Sequence, residues 1–478
     1  MHSERGSFGS QLGVILASAG SAVGLGNIWR FPTEVGRGGG AAFILIYLGF
    51  IFLVAMPVMI SEFVIGRSSR SNAIGAFQRL SPGKPWVAAG VMGMLGGFLV
   101  LSFYSVVAGW TLHYTIASAF GQLTAGGQSS MVEGSSATTI APWCKSIQES
   151  SMDFGQAFNS FVSDPWQPII YLAVFLLLTH LVVARGIQHG IERYSKLMMP
   201  MLLVIIVLLI FFSLSMPGAA DSIRFLLQPD LSKVTPEVIL GAMGQAFFSL
   251  SVGLGCLVTY SSYFSNETRL VSSAVNVCII DTMVAVLSGF IIFPTVFSVG
   301  IAPDAGPGLV FITLPNVFVL AFGKMPIVGY AFALLFYVLL LLAALTSSIS
   351  MHEICTAFIS EHFGKSRRWA AIVVTVVCLV LGCFCSLSFG PWQEVTVCGR
   401  VFFDLFDFIV TKFLMPLGGL LMTLFVGWYL DRKLVEQQLT NDGSIPVRTM
   451  KPLLFLIRWV APAGILVIFI NELIDIFI

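Results

Sequence analysis

The sequence predicts an all-α polytopic membrane protein with eleven transmembrane helices, and three observations lead to this fold class. Of the 478 residues, 56% are apolar and only 10% are charged, whereas soluble domains carry about 25% charged residues. The mean hydropathy is +0.91. Eleven separate stretches are apolar over roughly the 20 residues that a helix needs to cross a bilayer. Helices are expected because lipid leaves backbone groups no partner outside their own helix or barrel. A soluble enzyme and a nucleic-acid-binding protein are thereby excluded.

The eleven apolar stretches define the predicted spans, which we number 1 to 11 along the chain. They cover residues 11–36, 41–66, 87–120, 166–184, 194–216, 238–264, 270–299, 327–360, 369–388, 399–430 and 452–475. Most of the 25 Lys and Arg residues fall on one side if the N-terminus is inside. Basic residues favour the inner side of a membrane. This distribution predicts a cytoplasmic N-terminus and, because the number of spans is odd, an extracytoplasmic C-terminus.

Three connections between the spans are long enough to carry structure of their own. Residues 121–165 are polar and predict an extracytoplasmic cap, and the proline-rich residues 300–326 predict a re-entrant or surface hairpin. Residues 431–451 predict a charged inner linker. Most cysteines lie in apolar runs and are expected to be small buried residues. Only Cys144 and Cys398 fall in loops or at helix ends, and no cysteine has the spacing of a metal site.

Spans 1 and 6 are predicted to be broken near mid-membrane. Residues 23–26 and residues 252–255 both read Val-Gly-Leu-Gly, and a glycine inside a helix costs about 1 kcal/mol relative to alanine. Glycine interruptions at corresponding positions of two halves are typical of transporter binding sites. An unwound turn frees carbonyls for a cation, and the next half-helix offers N–H groups to a carboxylate. We therefore expect a site for a cation and an anionic group between these spans.

Each broken span begins a set of five helices, which indicates a 5+5 inverted repeat. We expect a single transporter domain over residues 1–478. Its first repeat would cover residues 11–216 and its second residues 238–430, and residues 452–475 would form an extra helix.

Ionisable side chains inside the spans are the next candidates, since charge in lipid is costly and usually functional. Arg30 in span 1 and Asp407 in span 10 are expected to pair, either as a gate or as a static structural ion pair, and Asp404 lies one turn from Asp407. Glu62 is expected to accept hydrogen bonds at a helix break. Asp281 has no basic neighbour in its own helix, so a sodium ion or a proton would neutralise it.

Four motifs resemble those of the neurotransmitter:sodium symporters, the family that shares the fold of the bacterial leucine transporter. They are residues 24–32 (GLGNIWRFP), 245–251 (QAFFSLS), 259–263 (TYSSY) and 345–348 (LTSS). The resemblance extends over essentially the whole chain and is nearest to bacterial members with eleven spans. It implies sodium-coupled import of an amino acid by alternating access across the bacterial inner membrane.

The resemblance also implies two sodium sites and a substrate site. One sodium ion would be bound by Ala22, Asn27, Ser249 and Asp281, together with the substrate carboxylate. The other would be bound by the carbonyls of Gly20, Val23 and Ala343 and the hydroxyls of Thr346 and Ser347. The residues expected around the substrate are Ala22, Leu25, Gly26, Val100, Tyr104, Phe248, Ser249, Ser251, Leu254, Ser347 and Met351.

Two gates follow from the same resemblance. The outer gate would be the pair of Arg30 and Asp407 under a lid of Tyr104 and Phe248. The inner gate would join Arg5 to Glu361 with support from Tyr263.

This sequence departs from the family pattern at three places. Phe8 replaces a frequent Trp, so inner-gate packing is expected to differ. Asp281 stands where many relatives carry Asn, and Ala285 lies one turn further on. Animal members bind chloride beside this sodium site, and a fixed carboxylate at Asp281 would supply that charge instead, which predicts chloride-independent transport. Leu254 and Met351 give flexible aliphatic walls, which suit an aliphatic or aromatic amino acid.

Three other functions were weighed against sodium symport. In a proton-coupled amino-acid carrier, Asp281 would be the titrating group. A channel would need a continuous polar pore, whereas the polar residues here are isolated spots. An intramembrane enzyme would need a catalytic Ser/His or paired-Asp arrangement. Asp404 and Asp407 are a possible pair, but their place on one helix beside Arg30 suits a gate better. The expected ligands are two sodium ions, an amino acid and membrane lipid, with no organic cofactor and no nucleic acid, in a monomer or weak homodimer.

Overall fold

The computed structural model describes residues 6–121, 154–299, 308–322, 326–444 and 446–477. Within these ranges the regular structure is helical, apart from one isolated antiparallel bridge between Val397 and Arg400. The predicted all-α membrane class is therefore confirmed.

Eight continuous helices in the described ranges are long and apolar enough to cross a membrane. They correspond to predicted spans 2, 3, 5, 7, 8, 9, 10 and 11. Their bounds are Ala41–Ser69, Val87–Ala119, Ile187–Ser213, Leu270–Ser298, Ile327–Phe363, Arg367–Leu387, Phe402–Tyr429 and Met450–Ile474.

Of the three remaining spans, spans 1 and 6 are broken, and span 4 is a shorter helix that follows a bend. Span 1 consists of Gln11–Ala22 and Gly26–Arg37, which meet at 58°. Span 4 is Gln167–Val183, and helix Phe154–Ser163 precedes it at 76°. Span 6 is divided into Pro236–Ser249 and Cys256–Ser261, with the break at the predicted glycine tetrapeptide. The described helices are thus consistent with eleven spans, of which spans 1 and 6 are broken.

Several boundaries differ from the predicted ones because charged residues hide helices from a hydropathy count. Span 5 begins at Ile187 rather than residue 194, since Glu192 and Arg193 lower the local hydropathy. The predicted linker 431–451 contains the helix Arg432–Thr440, which we call the linker helix.

The predicted outer cap and re-entrant hairpin fall only partly in the described part of the chain. Helix Phe154–Ser163 covers the end of the cap. Helical turns from Leu309 to Phe322 cover the middle of the hairpin segment. The remainder of both predictions lies outside the described residues.

The break in span 6 is stabilised by a buried carboxylate of span 2. The backbone turns through positive φ values of 50° at Ser251, 87° at Gly253 and 68° at Gly255. The Gly253 N–H donates to Glu62 Oε1 at 2.6 Å, as the sequence predicted for Glu62. A Cβ on Gly253 would lie 2.3 Å from the Met415 carbonyl oxygen. Glycine therefore lets the unwound turn contact the backbone of span 10.

Candidate functional site

At the break in span 1, backbone carbonyl groups and backbone N–H groups lie next to each other. Val23 has an extended conformation (φ −66°, ψ 112°) after the last turn of Gln11–Ala22. Beyond it, the Gly24 N–H donates to Asn27 Oδ1 and the Leu25 N–H donates to the Tyr104 hydroxyl, each at 3.0 Å. Carbonyls thus end one half-helix, and N–H groups begin the next. This arrangement places a negative and a positive dipole end next to each other.

Asn27, Ser249 and Asp281 form a buried polar cluster between spans 1, 6 and 7. Asn27 Nδ2 lies 2.7 Å from Asp281 Oδ1 and 3.1 Å from Ser249 Oγ. The Ser249 hydroxyl donates to Asp281 Oδ2 at 2.7 Å. All three side chains are at most 2% exposed. In the described part of the chain, no ion pair involves Asp281, so its buried carboxylate contacts only neutral groups here.

Two further hydroxyls hold this cluster in place. Ser288 of span 7 donates to the Asn27 carbonyl at 2.7 Å, and the Tyr47 hydroxyl of span 2 lies 3.2 Å from Ser249 Oγ. The Asn27 amide oxygen accepts from the Gly24 N–H at 3.0 Å, and Ser249 and Asp281 supply further oxygens, the ligands that hard cations prefer.

A second oxygen cluster joins the break of span 1 to span 8. The Ser347 hydroxyl lies 2.8 Å from the Val23 carbonyl and 3.4 Å from the Gly20 carbonyl. Thr346 Oγ1 lies 3.0 Å from the Ala343 carbonyl and 3.5 Å from the Val23 carbonyl. The five groups predicted for the second sodium site are therefore close together, and all of them are oxygens.

A small cavity of about 50 Å³ lies between the broken spans, and all eleven predicted substrate residues line it. Phe103 of span 3 and Val410, Thr411 and Met415 of span 10 also line it and were missed by sequence reasoning. The span 10 residues lie at the π-helical segment Val410–Leu414. A one-turn widening of this kind leaves no hydropathy signal, although it often marks functional sites.

A larger cavity of about 550 Å³, which we call the outer vestibule, adjoins the small one. Tyr104 and Phe248 line both cavities, which is the position predicted for a lid. The Arg30 guanidinium lies over the Phe248 ring, 4.1 Å from its centre. Asp407 lines the same vestibule, but the ion pairs of the described residues do not include Arg30 with Asp407. In this conformation the two residues of the predicted outer gate are near each other without being paired.

Among the described residues, Tyr263 and Glu361 contact different partners. The Tyr263 hydroxyl donates to Glu353 Oε1 at 2.7 Å, and Glu361 accepts from the Asn72 side chain at 2.7 Å. Arg5, the predicted partner of Glu361, lies outside the described residues. Phe8 packs edge-on against Tyr263 with ring centres 6.3 Å apart.

Sequence reasoning missed the buried ion pair that Tyr263 contacts. Glu353 of span 8, which is 0% exposed, pairs with Arg367 at the start of span 9. An acid within an apolar span and a basic residue shortly after it would have been the signal for this pair.

Comparison with known proteins adds independent findings. The model of the sodium:neurotransmitter symporter family matches residues 5–477. The sodium-dependent transporter YhdH of Bacillus subtilis is 38% identical over 463 residues, which are 97% of this chain and 96% of that protein. A sodium-dependent transporter of Haemophilus influenzae is 34% identical over 477 residues, or 98% of each chain. The crystal structure of MhsT in complex with L-phenylalanine matches with a TM-score of 0.83 and 41% identity, over 98% of this chain and 100% of that one.

Proposed function

Since the chain belongs to the sodium:neurotransmitter symporter family, whose members are sodium-coupled transporters and not enzymes, we propose that it imports an apolar amino acid with two sodium ions and without chloride. Sodium-coupled symport of an amino acid by an integral membrane protein follows from the family. The number of ions, the side chain of the substrate and the anion requirement are the proposed parts. They rest on one observation: a small cavity lies between two oxygen clusters that share the break of span 1.

The first proposed sodium site is the cluster of Asn27, Ser249 and Asp281 with the Ala22 carbonyl. A buried carboxylate among neutral neighbours calls for a compensating cation or a proton. The substrate carboxylate would complete the shell from the side of the cavity. Sodium and substrate would thereby share a contact, and each would raise the affinity of the other by the same factor.

The second proposed sodium site is formed by Thr346, Ser347 and the carbonyls of Gly20, Val23 and Ala343. It would fasten the inner half of span 1 to span 8. Release of this ion toward the cytoplasm would then loosen span 1 and favour opening of the inner side.

The substrate would lie with its carboxylate at the Leu25 and Gly26 N–H groups and the Tyr104 hydroxyl. Its ammonium would contact the carbonyls of Ala22, Phe248 and Ser251. The side chain would then extend among Val100, Leu254 and Met351, whose flexible aliphatic groups adapt to apolar substrates. That MhsT was crystallised with L-phenylalanine supports an apolar substrate for this chain as well.

Chloride independence follows from the charge on Asp281. A chloride ion beside a cation site would lie near a fixed carboxylate and would be repelled by it. Asp281 already supplies the negative charge that a bound chloride ion would bring.

Transport by alternating access would use both gates and the two repeats. Arg30 and Asp407 would pair above the bound substrate. Below the substrate, the pair of Arg5 and Glu361, which Tyr263 supports, would separate. Spans 1, 2, 6 and 7 would rock against the rest, so that residues 11–216 and 238–430 act as the two repeats. Residues 452–475 would remain an extra helix in a monomer or weak homodimer.

The proposed orientation, with the N-terminus cytoplasmic and the C-terminus extracytoplasmic, makes the loop before span 10 external. Cys398 in this loop is exposed. In a Cys144→Ser background, a membrane-impermeant thiol reagent applied to intact cells should label Cys398. Labelling only after the cells are opened would reverse the orientation.

Transport by the purified protein in liposomes tests the function directly. A panel of amino acids is first screened by thermal unfolding with and without sodium, and those that stabilise the protein only with sodium are carried forward. Their uptake should require an inward sodium gradient, should persist when gluconate replaces chloride, and should yield no converted product. Uptake driven by a pH gradient without sodium would instead favour a proton-coupled carrier with Asp281 as the titrating group.

A further inference from the structure

An ion pair between spans 10 and 11 lies on the wall of the outer vestibule. Lys412 of span 10 contacts Glu472 of span 11, and both side chains line the same cavity as Arg30 and Asp407. Their side chains are 33% and 24% exposed, respectively, so neither is fully enclosed by the protein. The pair has no place in the proposed sodium sites, substrate site or gates.

Lys412 is also near the acidic half of the proposed outer gate. It follows Asp407 by five residues in the same span, and both residues line the outer vestibule. Arg30 of span 1 lines the same vestibule. Asp407 therefore has two candidate cationic partners.

The charged residues of the outer vestibule indicate which of the two cations pairs with Asp407. Its lining contains two cations, Arg30 and Lys412, and three carboxylates, Asp404, Asp407 and Glu472. In the present conformation Lys412 is paired with Glu472, and Arg30 lies over the ring of Phe248. Asp407 is paired with neither cation among the ion pairs of the described residues. Glu472 thus binds Lys412, and Asp407 is left available to Arg30.

We propose that Glu472 is a positioning residue of the outer gate, which holds Lys412 away from Asp407 so that Asp407 stays available to Arg30. This inference rests on the proposed function, because it needs the Arg30–Asp407 pair as the gate. Lys412 is attached to the same helix as Asp407, so it competes at a high local concentration once its own partner is lost. A flexible ammonium then occupies the carboxylate that the planar guanidinium must bind.

Three variants separate this role from simple bracing of spans 10 and 11. Glu472→Gln releases Lys412, and it should reduce sodium-driven uptake and substrate affinity by about tenfold, the loss typical of one displaced charge-assisted pair. Lys412→Met removes the competitor and should reduce uptake by no more than about twofold, as for an exposed ion pair. The double variant should recover the activity of Lys412→Met, because no cation is left to compete with Arg30.

The outcomes are distinct from one another. Full activity of Glu472→Gln overturns the proposal, and so does a double variant as defective as Glu472→Gln, because the pair would then only brace the helices. Glu436→Gln, which removes an ion pair with Arg432 outside the vestibule, is the matched control and should behave as wild type. Asp407→Asn is measured in parallel. If it transports normally, the gate in the proposed function fails; if it is defective while Glu472→Gln is normal, only the role of Glu472 fails.

Discussion

The glycine at the centre of the site offers the sharpest test of its geometry. A Cβ built on Gly24 would lie 2.8 Å from Ser347 Oγ and 3.1 Å from the Tyr104 hydroxyl. Gly24 does not have a positive φ, so its backbone conformation tolerates alanine, and the cost of Gly24→Ala comes from space alone. Overpacking of this kind costs about 1–3 kcal/mol. The added methyl separates a proposed sodium ligand from a proposed carboxylate ligand. Substrate affinity should therefore fall by about 5- to 150-fold.

The assay for Gly24→Ala is binding of a labelled amino acid to the purified protein over a range of sodium concentrations. The substrate concentration and the sodium concentration for half-saturation should both rise, because the two ligands are coupled. Gly49→Ala is the matched control, since no atom lies within 4 Å of the added Cβ, and it should bind as wild type. Gly26→Ala should show an intermediate loss, because its Cβ would meet only the edge of the Phe248 ring at 3.0 Å. Equal binding by Gly24→Ala and Gly49→Ala would refute the proposed arrangement.

Four more predictions concern three proposed sodium ligands and one buried arginine. Asn27→Ala should lower sodium-dependent substrate binding by at least about 100-fold, because it removes a ligand of the first proposed sodium ion, which also contacts the substrate carboxylate; binding that keeps its sodium dependence would contradict the shared site. Ser347→Ala should raise the sodium concentration for half-maximal binding by about tenfold, measured by sodium titration of thermal unfolding. Asp281→Asn should make uptake into liposomes require chloride, because the fixed negative charge is gone, and equal uptake in chloride and gluconate would argue against this. Arg67→Met should lower the free energy of unfolding by about 3 kcal/mol, since charged hydrogen bonds to buried acceptors are lost, whereas Arg432→Met at an exposed pair should cost less than about 1 kcal/mol.

The reason for the Arg67 prediction lies in the linker helix. Arg67 at the end of span 2 is 5% exposed. It donates to the Gln438 side chain and carbonyl and to the Thr268 carbonyl, each at 2.5 Å, and to the Asn441 side chain at 3.1 Å. These bonds fasten the linker helix to span 2 and to the connection between spans 6 and 7. An undiminished stability of Arg67→Met would show that the linker helix is held by its apolar contacts alone.

The membrane class, the spans and the two breaks could be predicted from the sequence because each depends on a local property. An apolar stretch of sufficient length can only be a helix in lipid, and two glycines within a Val-Gly-Leu-Gly tetrapeptide weaken a helix wherever it lies. The role of Glu62 followed in the same way, because an unwound turn leaves N–H groups that a buried carboxylate can accept. The family resemblance of four motifs also identified eleven of the residues that line the small cavity.

Long-range packing was decided only by the tertiary structure. The span 10 wall of the cavity depends on the π turn at Val410–Leu414, and the pairing of Lys412 with Glu472 joins residues that are 60 positions apart. The linker helix has too many charges for a hydropathy count, and its position depends on the bonds of Arg67. The sequence of a segment determines its tendency to form a helix or a break, because solvation and backbone preference act within a few residues. Which side chains then share a cavity depends on how distant helices pack, and that is a property of the folded chain as a whole.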